Sequence, residues 1–198
     1  MSAMPRRRLL LASAGLALLA ACSSPNPTLY TLAAVPGTPR TGGPPVVALR
    51  EISLARYLER PQIVRSSASY QLEMEQNDWW GEPLGAMLGR VMVEALSQRL
   101  PGSIVLSELG AIGNKSDATV EINVLRLDAD RDGTVVLRAQ VGITRSAARQ
   151  APMAEAVALK APPPAPGVAG EVAAMSDALG QLADLIGARL TDAKLTGS

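Results

Sequence analysis

The stretch that decides the fold is ATVEINVLRLDADRDGTVVLRAQVGIT, residues 118–144. Apolar and polar residues alternate in two arms, Ala118–Asp128 and Thr134–Thr144, on either side of Asp132-Gly133. Strict alternation is typical of a strand with one buried face, and Asp-Gly is favoured in the tight turns that join two strands. The stretch therefore predicts a β-hairpin with one apolar face.

Two segments outside this hairpin have the spacing of amphipathic helices. In Pro83–Leu100, apolar residues recur every three to four positions, proline suits the first turn and Pro101-Gly102 ends the segment. In Gly167–Thr191 one stripe is apolar: Val168, Val172, Met175, Leu179, Leu182, Ile186 and Leu190. We expect two long helices, each with one face turned toward a common core.

Shorter segments supply further strands. Their predicted positions are 28–34, 46–52, 62–65, 70–75 and 103–107, with Ala151–Lys160 ambiguous and one helical turn at Leu54–Glu59. In the fourth, Tyr70, Leu72 and Met74 alternate with polar residues, which predicts a strand with one wet face. The pattern predicts a single two-layer α/β (α+β) domain, with a mostly antiparallel sheet and the two helices packed on one face.

The N-terminus has the three zones of a secretory signal peptide. Arg6, Arg7 and Arg8 precede an uncharged apolar run too short to span a bilayer, and Leu19-Ala20-Ala21-Cys22 follows. These four residues resemble the lipobox of bacterial lipoproteins, in which the cysteine is acylated and becomes the first residue. The alternative is a plain secreted protein; the Arg-Arg-x-Leu-Leu start also faintly resembles a twin-arginine signal. We expect a covalent lipid on Cys22 and no other cofactor.

The chain then divides into a leader over residues 1–21, an acylated N-terminus and tether over 22–27, a domain over 28–192 and a tail over 193–198. In Gram-negative lipoproteins an aspartate after the acylated cysteine retains the protein at the inner membrane. This position is Ser23. We therefore expect the outer membrane, with the domain facing the periplasm.

Composition excludes most site chemistry. Histidine is absent and cysteine occurs once, which removes the Ser-His-Asp triad, the Cys-His dyad, most zinc sites and every intrachain disulfide. Lys and Arg total 19 against 18 Asp and Glu, and aromatic residues make up 3% of the chain. This balance lacks a basic footprint or a stacking platform for nucleic acid. An enzyme is poorly supported.

Four local motifs have competing interpretations. Asp128–Gly133 is similar to the start of a calcium loop but lacks the final bidentate glutamate, and a polar hairpin turn is favoured. Gly110–Ser116 is similar to a P-loop but lacks the glycine before its lysine. Gly81, Gly85 and Gly89 favour close helix packing, either on the chain's own sheet or on another subunit. Of Trp79-Trp80, one side chain is expected in the core and the other is a candidate for an interface.

Motifs along the whole mature chain resemble one family. After the lipobox come Leu29-Tyr30-Thr31-Leu32, then Tyr57-Leu58-Glu59-Arg60-Pro61-Gln62-Ile63-Val64, and then Trp80-Gly81-Glu82-Pro83-Leu84 at a helix start. This order resembles the ABC-type transport auxiliary lipoproteins, the PqiC (YmbA) family, over roughly residues 28–190. Glu59 replaces the usual aspartate of that family.

The resemblance implies a non-catalytic auxiliary subunit of an Mce-type intermembrane lipid transport system that supports envelope integrity. Its implied partners are an Mce-domain protein reaching from the inner membrane and further copies of this chain, with a ring as one arrangement. Tyr57, Arg60, Pro61, Gln62 and Trp80 are the family-matched candidates for partner binding, with maintenance of the fold as the alternative role.

Two other functions stay open from the residues alone. One is a structural scaffold lipoprotein of another envelope assembly. The other is a periplasmic carrier of small hydrophobic ligands, which predicts an enclosed apolar pocket between sheet and helices. The many small side chains favour close packing over such a pocket.

Overall fold

The computed structural model describes residues 26–68, 70–108, 115–146 and 152–192. The strands are β1 (Thr28–Tyr30), β2 (Val46–Leu49), β3 (Ser53–Leu54), β4 (Gln62–Ala68), β5 (Gln71–Trp80), β6 (Ile104–Ser107), β7 (Ala118–Ala129), β8 (Val135–Arg145) and β9 (Met153–Ala161). The helices are α1 (Leu84–Arg99) and α2 (Val168–Thr191), and a 3-10 turn covers Arg56–Leu58. The leader, Cys22 and residues 110–114 of the P-loop-like segment lie outside the described residues.

The predicted hairpin is confirmed as β7 and β8, and it forms the centre of the sheet. The two strands pair antiparallel from Ala118 with Arg145 to Ala129 with Val135. Gly133 has a φ of +81°, the left-handed conformation that glycine adopts most readily, and its amide donates to the Asp130 carbonyl at 2.9 Å. The segment that the sequence left ambiguous, near residues 151–160, forms β9. This strand pairs antiparallel with β8 and extends the sheet.

The other edge of β7 pairs with three short strands in succession. β2, β3 and β4 lie parallel to β7 one after another along its length, and β6 pairs with β2 while β5 and β1 continue from β4. The sheet therefore forks on this side. Its long ladders are antiparallel as predicted, but the short pairings at β7 and the outer pairings of β1 and β6 are parallel. Strands that pair parallel with β7 cannot be joined to it by tight turns, because parallel neighbours need a longer crossover connection.

Both helices pack on one face of the sheet, as predicted. α1 contacts α2 and β6, and α2 contacts β7, β8 and β9. Six of the seven residues in the α2 stripe are buried, and Val168 at its start is half-buried. Inward residues of the strands and both helices form one continuous apolar core. No helix among the described residues has both the length and the apolar character needed to cross a bilayer.

Arg99, at the end of α1, is buried inside this helix layer at 1% exposure. Its guanidinium pairs with Asp184 at 2.7 Å and donates to the carbonyls of Gly180, Val35 and Ala95 at 3.0–3.2 Å. A Cβ on Gly37 would lie 2.1 Å from the guanidinium carbon, so this loop position has room only for glycine. The cluster ties both helices to the loop that follows β1.

The prediction for residues 70–75 was correct for the strand and wrong for its burial. β5 extends to Trp80, and Leu72 and Met74 are 50% and 51% exposed. Only Arg65 of β4 pairs with β7, opposite Ala129 at the end of that strand. Beyond this pair, residues 70–74 at the far end of the β4–β5 hairpin are all exposed, whereas Val64, nearer the core, is 5% exposed. We call residues 64–68 and 70–74 of this hairpin the arm, and residues 70–74 its tip.

Candidate functional site

The structure brings together the two family-matched segments where β4 begins and β5 ends. The Trp80 amide donates to the Pro61 carbonyl at 2.7 Å, and Gln62 pairs with Trp79. The Gly81 amide then donates to the Tyr30 carbonyl at 2.8 Å, which attaches β1 to the same corner. These motifs are far apart in sequence and form one corner of the fold.

The two tryptophans at this corner have different environments, as expected for adjacent residues in a strand. Trp80 is 7% exposed and belongs to the core. Trp79 is half-buried, and its indole N–H donates to the Gln76 carbonyl at 2.9 Å. The prediction that one of the two is a core residue is confirmed. Trp80 therefore maintains the fold and is not available for direct contact with a partner.

Tyr57 likewise has a structural role, in a polar cluster around the buried carboxylate of Asp128. The Tyr57 hydroxyl donates to Asp128 Oδ2 at 2.7 Å, and the Ser66 hydroxyl donates to Oδ1 at 2.7 Å. Arg126 approaches the same Oδ1 through Nε at 2.9 Å. The cluster connects the 3-10 turn, β4 and β7, so it holds the arm to the end of β7.

Burial raises the pKa of Tyr57, and its hydrogen bond to the Asp128 carboxylate raises that pKa further. The phenol therefore stays protonated and acts as a permanent donor to the carboxylate. Asp128 itself is 1% exposed, so both of its oxygens depend on protein donors rather than on water. Its role is that of a structural carboxylate.

The calcium-like motif lies in the β7–β8 turn, where protein groups already bind its carboxylates. The Asp128 carboxylate already accepts the hydrogen bonds given above. Asp130 pairs with Arg126, and Asp132 Oδ1 accepts the Thr134 amide at 3.0 Å. Among the described residues no cluster of three metal-ligating side chains is present. The geometry is that of a polar turn.

Arg60 and Pro61 differ from the other motif residues because both are exposed. In the described part of the chain, Arg60 makes neither an ion pair nor a side-chain hydrogen bond. The Arg60 guanidinium therefore does not donate to backbone carbonyls within the described part of the fold. Gln62 is half-buried in the β4 ladder. The family-matched set thus divides into Gln62 and Trp80, which hold the corner, Tyr57, which belongs to the Asp128 cluster, and Arg60 with Pro61, which form the surface.

Beside this surface lies an open groove of about 780 Å³ between β3, the segment ending at Glu59 and the first turns of α1. Leu54 and Gly85 are among its apolar lining residues. Its rim is charged: Arg90 binds Glu82 at 2.6 Å, and Arg50 binds Glu121 at 2.9 Å. An open groove with an apolar floor and charged rim suits a protein segment better than a small enclosed ligand.

The glycine series at the start of α1 has two roles. A Cβ on Gly81 would lie 3.4 Å from the Tyr30 carbonyl oxygen, and one on Gly85 would lie 3.6 Å from the Leu54 side chain. These two positions pack on the chain's own sheet. Gly89 has no heavy atom within 4 Å of such a Cβ and lines the open groove. Only Gly89 leaves helix surface open to a partner.

The polar contacts that sequence reasoning missed are those of Asp128, Arg99 and Glu171. Glu171, at the start of α2, is 2% exposed and binds Arg65 of β4 at 2.7 Å. Burial raises the pKa of Glu171, whereas Arg65 lowers it. Charged residues at these positions in α1, α2 and β7 were the available signal, but their partners on other elements, Tyr57, Ser66, Asp184 and Arg65, are 62–106 positions away.

Comparison with known proteins identifies the family. A family model described as "ABC-type transport auxiliary lipoprotein component" matches residues 30–187. The "Intermembrane transport lipoprotein PqiC" of Escherichia coli (strain K12) is 29% identical over 124 residues, which cover 60% of this chain and 65% of that protein. The protein of the same name from Shigella flexneri matches equally. The chain thus spans about 65% of the length of these relatives.

Two solved structures share the fold. A crystal structure titled only as an uncharacterized protein has a TM-score of 0.70 at 19% identity and covers 83% of this chain and 98% of its own. Protein XCC0632 from Xanthomonas campestris has a TM-score of 0.63 at 22% identity, with 82% and 94% covered. These likenesses show the fold, and the family model shows the family. The chain belongs to the ABC-type transport auxiliary lipoprotein component family.

Proposed function

We propose that this protein is a lipoprotein acylated at Cys22, held at the outer membrane with its domain facing the periplasm. There it acts as a non-catalytic auxiliary subunit of an intermembrane transport system for lipids or other hydrophobic molecules. The observation that carries this proposal is the family match over residues 30–187. Relatives named as intermembrane transport lipoproteins support it.

The docking partner we propose is an Mce-domain protein that reaches across the periplasm from the inner membrane. Exposed Arg60 and Pro61, with the neighbouring groove, are the surface we assign to it. The charged rim and apolar floor of the groove support binding of a protein segment there. Self-association of this chain is part of the same proposal, and co-purification of an untagged copy with a tagged one reads it out.

The groove favours docking over ligand carriage. A carrier requires an enclosed apolar pocket, whereas this groove is open to solvent and has Arg50, Glu51, Glu59 and Arg90 among its lining residues. Small side chains and tight packing fill the layer between sheet and helices. Transport through a partner's channel places no demand on a cavity in this chain.

The test is affinity purification of the full-length, acylated protein from detergent-solubilised envelopes, with mass spectrometry of co-purified proteins. We expect an Mce-domain protein at near-stoichiometric yield. Arg60→Ala should reduce this yield because it removes an exposed cation without breaking any contact of the fold. Arg138→Ala, on the exposed face of β8, is the matched control and should leave the yield unchanged.

Reproducible recovery without an Mce-domain protein, from cells that express one, contradicts the proposal and leaves the scaffold function. Equal yields from wild type and Arg60→Ala, with the partner present, contradict the assigned surface only. A circular dichroism spectrum and unfolding midpoint equal to those of wild type are required for both variants before the yields are compared.

A further inference from the structure

The arm carries an apolar stripe that the fold does not use. Tyr70 is fully exposed, and Leu72 and Met74 are 50% and 51% exposed. Leu72 pairs with Ser66 and Met74 pairs with Val64, so Leu72 and Met74 share one face of the β4–β5 ladder, and Tyr70 lies in the adjoining turn. Three large side chains in a row at the end of a protruding hairpin form a local apolar surface rather than a scattered exposure.

The stripe lies on the face of the arm opposite the helices. Arg65 binds Glu171 of α2, so its strand neighbours Val64 and Ser66 point to the other face, together with Leu72 and Met74 across the ladder. Glu75 binds Arg65 at 3.3 Å, on the helix side. The two charged side chains of the arm, Arg65 and Glu73, therefore lie on the face away from the stripe, while the Asp128 cluster that Ser66 contacts lies beside the stripe on its own face.

The direction of the chain places this stripe on the side from which the N-terminal tether arrives. β1 is parallel to β5, with Thr28 opposite Asp78 and Tyr30 opposite Trp80. Because β5 runs from the tip of the arm toward the core, the residues before Thr28 approach from the tip side. The chain therefore enters β1 from the end of the molecule at which the tip lies.

The lengths of the tether and the arm agree. From the Gln62–Trp79 pair to the Ala68–Gln71 pair, the ladder spans six residues of β4, about 20 Å at a strand rise of ~3.3 Å. Cys22 is six residues before Thr28, and an extended segment of that length spans at most about 21 Å. A fully extended tether from β1 would therefore be long enough to reach about the level of Tyr70.

From this geometry we propose that the tip of the arm, with Tyr70, Leu72 and Met74, inserts into the surface of the bilayer that holds the Cys22 anchor. The proposal rests on acylation of Cys22, which belongs to the proposed function. Apolar side chains enter the boundary between headgroups and acyl chains, and a tyrosine ring suits that boundary because its hydroxyl remains at headgroup level. Tether and arm then hold the domain at two points and restrict its tilt.

The stripe predicts insertion that depends on apolar contact and not on surface charge. The tip offers no basic cluster, and Glu73 lies between Leu72 and Met74 on the opposite face. Insertion should therefore occur in vesicles of neutral phosphatidylcholine and persist at high salt.

The experiment uses the full-length, acylated protein reconstituted into phosphatidylcholine vesicles, some of whose acyl chains carry bromine. Cys22 is the only cysteine, so Tyr70→Cys provides a unique thiol for an environment-sensitive fluorophore. Ile104→Cys is the matched control: it is apolar, 61% exposed, and lies at the start of β6, at the opposite end of the sheet. We expect a blue shift and quenching by brominated lipid for the probe at 70, and neither at 104.

A second comparison isolates the stripe. In the Tyr70→Cys background, Leu72→Ser with Met74→Ser should reduce the quenching, whereas Leu125→Ser, an exposed apolar residue of β7, should leave it unchanged. If mass spectrometry shows that Cys22 is acylated, the absence of quenching at both 70 and 104 overturns the proposal. A blue shift without quenching by lipid also overturns it and indicates a second protein copy on the stripe. Unacylated Cys22 overturns both the proposal and the anchor on which it rests.

Discussion

The arm and the central β7–β8 hairpin have the same alternation of apolar and polar residues and opposite environments. Val120, Ile122 and Val124 of β7 are at most 3% exposed, whereas Leu72 and Met74 of β5 are half exposed. The central hairpin lies beneath the helix layer, whereas the tip of the arm, residues 70–74, is exposed. Alternation thus shows that a segment has two unlike faces, but it does not show that anything covers the apolar one.

The largest expected difference between the two regions is in unfolding free energy. Leu137→Ala removes a fully buried side chain from β8 and should destabilise the protein by about 2–5 kcal/mol, because it loses apolar contacts and leaves a cavity. Leu72→Ala, the same substitution in the arm, should change the free energy by less than about 0.5 kcal/mol. Urea unfolding of both variants measures the contrast, and equal losses would show that the arm is covered in solution.

Asp128 joins the two regions, and Asp128→Asn should loosen that join. The substitution keeps the size of the side chain but removes the charge that accepts from Tyr57, Ser66 and Arg126. We expect a loss of about 2–3 kcal/mol, since one acceptor oxygen becomes an NH2 group and a buried donor loses its charged acceptor, while Arg126 keeps its pair with Asp130. Hydrogen exchange should increase first in β4. Protection in β4 that equals wild type would contradict this role of the cluster.

Tyr57→Phe removes one donor from the same cluster and should have a smaller effect. We expect a loss of about 1.5 kcal/mol, the range for a hydrogen bond to a charged acceptor. Tyr70→Phe removes a hydroxyl from a fully exposed ring and should leave the unfolding free energy unchanged. Thermal unfolding of the two variants under one condition provides the comparison. Equal effects of both would contradict the structural role of Tyr57.

The smallest expected effect is a pH dependence at Glu171, where the arm contacts the helix layer. Burial raises the pKa of Glu171 above its usual 4.5, while Arg65 lowers it. The folded state therefore binds the proton more tightly than the unfolded chain, and stability should fall as pH rises from below 4.5 through the raised pKa.

Glu171→Gln lacks this titration and is the reference for it. The unfolding free energy of wild type minus that of Glu171→Gln should decrease with rising pH over this window. Urea midpoints for both proteins at several pH values measure the difference. A difference that increases with pH would mean that the ion pair with Arg65 outweighs burial.

Sequence patterns predicted the elements well where a single period extends over many residues. The predicted Pro83–Leu100 and Gly167–Thr191 agree with α1 and α2 to within one residue at each end. The candidate site was predicted less completely. Its residues came from family motifs, and motifs do not separate Trp80, which is buried in the core, from Arg60, which is exposed. That separation depends on which strands meet at the corner.

The sequence by itself determined the two helices, the central hairpin with its Asp-Gly turn, and the family. Each of these depends on residues that are neighbours in the chain or on a motif read in order. Only the tertiary structure decided that β2, β3 and β4 pair parallel with β7. It also decided that Asp128 and Arg99 are buried and paired, and that the tip of the arm extends beyond the helix layer. The physical reason is that burial depends on which layer covers a segment, and that layer is built from residues distant in the chain.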